Sequence, residues 1–215
     1  MIKIISTDHL MNKEVIYNLI KKEKPDVIAV ELCETRFALM VTPLLNNFID
    51  EKPKEEKEDN SLIGKISKAI KGKAEKENLQ VGSDQINACL YAKENNIPLE
   101  FVDLDITKTK YLMDLLPENE RNGFLNEILA FQNMTLKEST ADITKEDADV
   151  EKLLLEMKAK FPIAFEFLVN YRNLVIINNI LKLEKKYPDE FPFVKKILVL
   201  LGKGHVKIVE GAING

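Results

Sequence analysis

The sequence predicts a three-layer α/β/α fold with a mainly parallel central sheet and a helical insertion. Three observations carry that prediction. VIAVEL (27–32) and ILVLLG (197–202) are apolar runs without alternation. Such runs suit strands covered on both faces, as in a parallel sheet. The chain opens as β-α-β with a short crossover, a unit that is right-handed in nearly all folds. A long charged stretch with helical periodicity then separates the third strand from the fourth.

Taken in order, MIKII is a short β-rich run, and STDH turns the chain. Asn12 to Lys24 sets Val15, Ile16, Leu19 and Ile20 on one helical face, and Pro25 and Asp26 stop it. VIAVEL is the second strand. The run DEKPKEEKEDN (50–60) has nothing to bury and reads as a solvated loop. Ser61 caps a short helix over 61–73, with Leu62, Ile63, Ile66, Ala69 and Ile70 on its apolar face. That helix reads as a surface helix packed on the core; a flap or a membrane-surface helix is the alternative. GSD (82–84) opens the next helix through Asn95, with Ser83 as cap and Asp84 in its first turn. LEFVDLD (99–105) is the third strand, and ILVLLG the fourth. Between them, breaks fall near Pro117, around 139–144 and at Pro162. One domain over 1–215 is expected, with a charged loop and short helix over 41–80 and a helical insertion over 106–187.

With 215 residues, 45% of them hydrophobic, the chain can bury a substantial core. Its net charge of −4 mixes both signs and lacks a basic footprint, so nucleic acid is not an expected partner. Two cysteines, Cys33 and Cys89, are too few for a disulfide framework and fit a reducing compartment. MIKIISTDH reads as a strand rather than a secretory leader, and no apolar run reaches the ~18 residues of a membrane span. A soluble, cytoplasmic chain is therefore expected.

Ligands of open parallel sheets bind at the carboxyl ends of the strands. Strand one ends at Asp8 and His9. Strand two ends at Glu31, Cys33, Glu34 and Arg36. Strand three ends at Asp103 and Asp105, and strand four at Gly202, Gly204 and His205. His9 and His205 are the only histidines of the chain. Both follow a short apolar segment and a small turn, so the fold is expected to bring two imidazoles to one edge. Gly202 and Gly204 are expected to allow a tight turn there. Glu31 ends an apolar strand, and a buried carboxylate needs a partner. Either it pairs structurally with Arg36, or it is a ligand or general base. Arg36 is one of only three arginines, with Arg121 and Arg172, among 31 basic residues. Lysine is the surface cation here, and arginine suits planar, bidentate pairing with a carboxylate.

Two imidazoles and a carboxylate form a common catalytic zinc shell, with a fourth position left for water. The helical H-E-x-x-H spacing is absent, as are a Walker-type phosphate loop and a G-x-S-x-G elbow. A metal-free alternative uses one histidine as general base, with Arg36 steadying an oxyanion.

The stretch KPDVIAVELCETR (24–36), preceded by STDH (6–9), resembles the opening of the TraB/PrgY family, a G-T-x-H turn followed by K-P-D-x-V-x-V-E-L-C-x-x-R. VGSDQINACLYAKENNIPLEFVDLDITKT (81–109), NYRNLVIINNIL (170–181) and LGKGHVKIVEG (201–211) resemble its later motifs, in the family's order. The family is similar to the Tiki metalloproteases and, distantly, to the erythromycin esterase and ChaN-like group. The resemblance implies an α/β/α fold whose site is made by His9, Glu31, Arg36 and by Gly202 with His205. Ser6, Leu104 and Tyr171 depart from the family's glycine, arginine and glutamate.

The function expected on these grounds is a metal-dependent hydrolase, most of all a peptidase. His9, Glu31 and His205 would hold a divalent ion such as zinc, manganese or cobalt. Arg36 and Arg172 would contact substrate. Asp103 and Asp105, with Gly202 and Gly204, would support the histidines from behind. The rival is a peptide- or pheromone-binding domain that uses the same cleft without turnover. A haem- or iron-handling role like that of the ChaN-like group is a third alternative. A peptide or protein is the expected partner. The apolar face of 62–70 and the helical region offer surface for a homodimer, or for membrane association through a further C-terminal region.

Overall fold

A computed structural model of the chain describes residues 2–7, 11–41, 44, 59–76, 81–131, 143–191 and 193–214. The described elements, in chain order, begin with β1 (Ile2–Thr7), α1 (Lys13–Glu23), β2 (Val27–Val30) and α2 (Glu34–Met40). There follow α3 (Leu62–Lys76), α4 (Ser83–Glu94), β3 (Leu99–Phe101), α5 (Ile106–Asp114), α6 (Glu118–Phe131) and α7 (Ile143–Lys160). A short α8 (Pro162–Phe165), a π-helix (Glu166–Tyr171), α9 (Arg172–Glu190), β4 (Ile197–Gly202) and α10 (Lys203–Asn214) complete it. The charged loop read over 50–60 falls mostly outside the described residues, as does most of the break read at 139–144.

The elements form two compact units. The first comprises 1–50, 82–106 and 172–215; the second comprises 51–81 and 107–171. Residues 172–187, which the sequence analysis places in the helical insertion, belong to the first unit.

The first unit is the three-layer α/β/α fold. Its four strands are all parallel, in the order β1-β4-β2-β3. Alternate side chains of each central strand point to opposite faces. Ile28, Val30, Leu198 and Leu200 pack with Ile16 and Ile20 of α1 and with Ile86 and Cys89 of α4. Val27, Ala29, Ile197, Val199 and Leu201 pack with Ile176, Ile180 and Leu183 of α9 and with Val209 of α10. Every residue of β2 and β4 is therefore buried, which is why both read as unbroken apolar runs. Burial also pushes the Cys89 thiol up to about 12, with the nearby Asp84 charge adding to it.

Helix α1 starts where the sequence signals it. The Asn12 side chain accepts from the Val15 N–H at 3.0 Å, and Lys24 closes the helix in a left-handed conformation at φ 48°. Asn12→Ala is expected to cost about 1 kcal/mol; a urea titration against the parent checks this. The N-terminus of α4 differs from the expected one. Gly82, at φ 75°, occupies the cap position. Ser83 is already helical, and its hydroxyl donates to the Met11 carbonyl at 2.9 Å.

The second unit packs α3 on α5, α6 and α8 through Leu62, Ile66, Met113, Leu116, Phe124 and Ala164. Ser61 caps α3 by accepting from the Gly64 N–H at 3.0 Å, as its sequence suggests. The Glu120 carboxylate accepts from the Ile163 and Ala164 N–H groups at the start of α8, where Pro162 leaves those donors without helical acceptors.

Candidate functional site

The connections leaving β2 and β4 run to opposite faces of the sheet. Helices α2 and α4 pack on one face and α10 on the other. The carboxyl ends of these neighbouring strands thus form the switch point at which open α/β sheets bind ligands. Glu31 is the residue after β2, and Gly202 closes β4.

Glu31 is buried, only 3% exposed. Its backbone N–H donates to Gln85 Oε1 at 2.9 Å. Its Oε2 accepts from the Gly202 N–H at 2.6 Å, and its Oε1 from Arg172 Nη2 at 3.0 Å. His205 Nε2 lies 3.4 Å from the same Oε1. The Gln85 amide nitrogen in turn donates to Thr7 Oγ1 at 3.3 Å and Asp84 Oδ2 at 2.9 Å. The ends of β1 and β2 are thereby tied through α4.

Asp103 is the second buried carboxylate. Arg172 grips it with a fork, Nε to Oδ1 at 3.0 Å and Nη2 to Oδ2 at 2.8 Å. Arg36 Nη1 adds a bond at 3.2 Å and the Leu104 N–H another at 2.7 Å. Burial pushes the Asp103 carboxyl up, but Arg172, Arg36 and the Leu104 N–H outweigh it, so it lies below the usual carboxylate range. Burial likewise pulls the Arg172 guanidinium down, and Asp103 and Glu31 more than compensate, so its affinity for the proton is raised.

Helical periodicity explains why these groups face one another. Ile176, Ile180, Leu183 and Tyr187 form the buried stripe of α9. Arg172 stands one turn before Ile176 on that stripe. In α10, His205 stands one turn before the buried Val209. His205 is itself 8% exposed, and its Nδ1 lies 2.7 Å from Asn173 Oδ1.

The strand-end reading of Glu31, Asp103, Arg36, Gly202 and His205 therefore describes one cluster, to which Arg172 belongs. His9 and Asp8 lie outside the described residues. Several details differ. Of the two alternatives for Glu31, the structural pairing with Arg36 is not the one formed: Glu31 pairs with Arg172, and Arg36 with Asp103. The histidine's neighbour at Nδ1 is Asn173. Asp103 holds arginines, and Asp105 accepts from Thr35 Oγ1 at 2.9 Å. His205 is not on a turn but in the first turn of α10. Neither Gly202 nor Gly204 has a positive φ, and a Cβ at Gly204 would meet nothing within 4 Å. The sequence reading missed Asn173 and Gln85. Their only signals are a polar residue beside Arg172 and a polar triplet, Ser83-Asp84-Gln85, opening a buried helix.

Among the described residues, Glu31 and Asp103 are matched by Arg172 and Arg36, while the buried Asp84 carboxylate lies behind Gln85. Among the described residues, no three of His, Cys, Asp and Glu gather as a metal group. Two donors do have a suitable spacing. Ligands each about 2.1 Å from a tetrahedral ion stand roughly 3.4 Å apart, and His205 Nε2 to Glu31 Oε1 is 3.4 Å. No helix among the described residues is long and apolar enough to cross a membrane. No protein-family model and no curated protein matches the chain.

Proposed function

We propose that the carboxyl edge of the sheet is the active site of a metal-dependent hydrolase of the TraB/Tiki kind, acting on peptide bonds. One observation carries the reading. Glu31 and His205 come from different strand ends, yet meet at 3.4 Å in a buried cluster at the switch point. His205, Glu31 and His9 would hold the ion. When bound, such an ion supplies an acidified water and polarises a carbonyl. Arg36, whose side chain is 29% exposed, is the guanidinium we assign to a substrate carboxylate or an oxyanion. Arg172 we assign to holding Glu31 and Asp103 rather than substrate, because its Nε and Nη2 are committed to them.

The second reading is a peptide-binding domain without turnover. The pairing of Arg172 with Glu31 favours it, since that guanidinium already meets the carboxylate an ion would use.

Elemental analysis of untagged protein, with His9→Ala and His205→Ala alongside, tests the proposal. The expected result is a bound zinc, manganese or cobalt ion, lost in both variants with circular dichroism unchanged. Peptide products should then appear by mass spectrometry with the parent and disappear with His205→Ala. A parent that binds none of these ions on addition, and returns its peptides intact, would be a binding domain.

A further inference from the structure

We infer that Gln85 is the positioning residue for Glu31: its buried amide takes the place of a strand partner at the Glu31 N–H and so aims the carboxylate across the ends of β2 and β4. For its purpose this rests on the metal-site reading above; its first readout does not. Both ladders of β2 stop at Val30. The Glu31 N–H lies one residue beyond them, and a buried N–H needs an acceptor. Gln85 Oε1, from the first turn of α4, accepts it at 2.9 Å. The side chain leaving the same Cα is held at its far end, where Oε2 accepts from the Gly202 N–H at 2.6 Å and Oε1 from Arg172 Nη2 at 3.0 Å. Glu31 is thus held by its backbone from α4 and by its carboxylate from β4 and α9. Releasing the backbone end frees the rotation about Cα that places Oε1 3.4 Å from His205 Nε2.

The Gln85 amide has one orientation that satisfies both of its ends, and it adopts that one. Nε2 donates to Asp84 Oδ2 at 2.9 Å and to Thr7 Oγ1 at 3.3 Å. Turned over, the amide would set its NH2 against the Glu31 N–H and its oxygen against the Asp84 carboxylate. The Thr7 hydroxyl donates to the same Asp84 oxygen, so one carboxylate orients both groups. Thr7, Asp84 and Gln85 are all buried. Burying three polar side chains is unfavourable where apolar ones would pack, and α4 does turn Ile86, Ala88, Cys89 and Ala92 into the core. Its polar residues are confined to the end beside Glu31, where an apolar side chain could not accept from the N–H. Partners standing behind a metal ligand typically account for about 10–100-fold in affinity.

The test is amide NMR on the metal-free full-length chain. A short bond to a carboxylate moves an amide proton downfield, so the Gly202 N–H reports where the Glu31 carboxylate is. In Gln85→Leu the Glu31 and Gly202 amide protons should both shift upfield, while those of Ala29 and Val199 in the ladder stay in place. Zinc binding, measured by competition with a chelator, should weaken roughly 10–100-fold. Exchanging amide and acid, Asp84→Asn with Gln85→Glu, keeps the net charge, an acceptor at the Glu31 N–H and a donor–acceptor pair behind it. The Thr7 hydroxyl, which donates or accepts, adjusts to either. That double variant should keep both signals and the zinc affinity of the parent. A Gly202 proton that does not move in Gln85→Leu overturns the inference, as does zinc bound as tightly there as in the parent. Should Gln85→Leu fail to fold, the exchanged pair decides: parent-like Glu31 and Gly202 signals uphold the inference, and displaced ones overturn it. If Gly202 moves as expected and neither parent nor variant binds zinc, the positioning role stands and the metal reading falls.

Discussion

Arg172→Met is expected to cost the sheet unit about 3–5 kcal/mol, the range for removing one partner of a buried ion pair. Among the described residues, Arg172 is the one arginine or lysine paired with Glu31 and one of two paired with Asp103. Both carboxylates are 3% exposed on their side chains, so water cannot replace the lost guanidinium. Methionine keeps length and apolar contact, and isolates the charge effect. Arg172→Lys should recover little, because an ammonium cannot form the Nε–Nη2 fork on Asp103. The loss should depend on pH. The Asp103 carboxyl titrates below its ordinary value in the folded chain. Its contribution is therefore fully present above the unfolded value of about 3.9, and is lost as pH falls through the folded value. The gap between parent and variant should be widest near neutrality and shrink in acid. Urea titrations across that range, followed by circular dichroism, measure it. A gap under ~1 kcal/mol at neutral pH would mean that the carboxylates do not depend on Arg172.

Much of the sheet unit was legible because its strands are buried on both faces. Val27 and Ala29 go to one layer, Ile28 and Val30 to the other, so period-2 alternation vanishes and length alone marks the strand. The third strand, Leu99–Phe101, is shorter than the run LEFVDLD predicts. Its ladder stops at Phe101 because β2 itself ends at Val30. Beyond it, the Val102 and Asp103 N–H groups bond singly to the Val30 and Leu32 carbonyls. The boundary at 172 was illegible for a different reason. The stripe Ile176–Ile180–Leu183–Tyr187 has the same period whether it packs on a sheet or on another helix.

The site was legible as a set of positions and not as a set of pairings. Strand ends converge in any open parallel sheet, so Glu31, Asp103 and His205 could be grouped before any distance was known. Which arginine meets which carboxylate could not. Glu31 and Arg172 are 141 residues apart, and nothing in the sequence links them. Asn173 was invisible for a related reason. A buried asparagine beside an arginine carries no motif, and its meaning lies in the 2.7 Å contact with a helix 32 residues on.

Glu31→Gln separates what the glutamate does for the fold from what it does for chemistry. The amide keeps the shape but turns one oxygen into a donor. If the NH2 faces Gly202, it meets a backbone N–H where Oε2 had accepted at 2.6 Å. If it faces the other way, it meets the Arg172 guanidinium where Oε1 had accepted at 3.0 Å. Either orientation sets a donor against the Gly202 N–H or the Arg172 guanidinium, at an expected cost of about 2–3 kcal/mol. Arg172 keeps its fork on Asp103, so this should be smaller than the loss in Arg172→Met. The two changes remove one shared contact. The double variant should therefore be less destabilised than the sum of the singles by roughly 1–3 kcal/mol. A cycle that closes additively would mean that Glu31 and Arg172 stabilise the fold independently, and that the 3.0 Å contact contributes nothing of its own. Glu31→Gln should also abolish metal binding under the proposed function. If it binds the ion as tightly as the parent while losing stability, then Glu31 is an anchor of the strand ends and not a ligand.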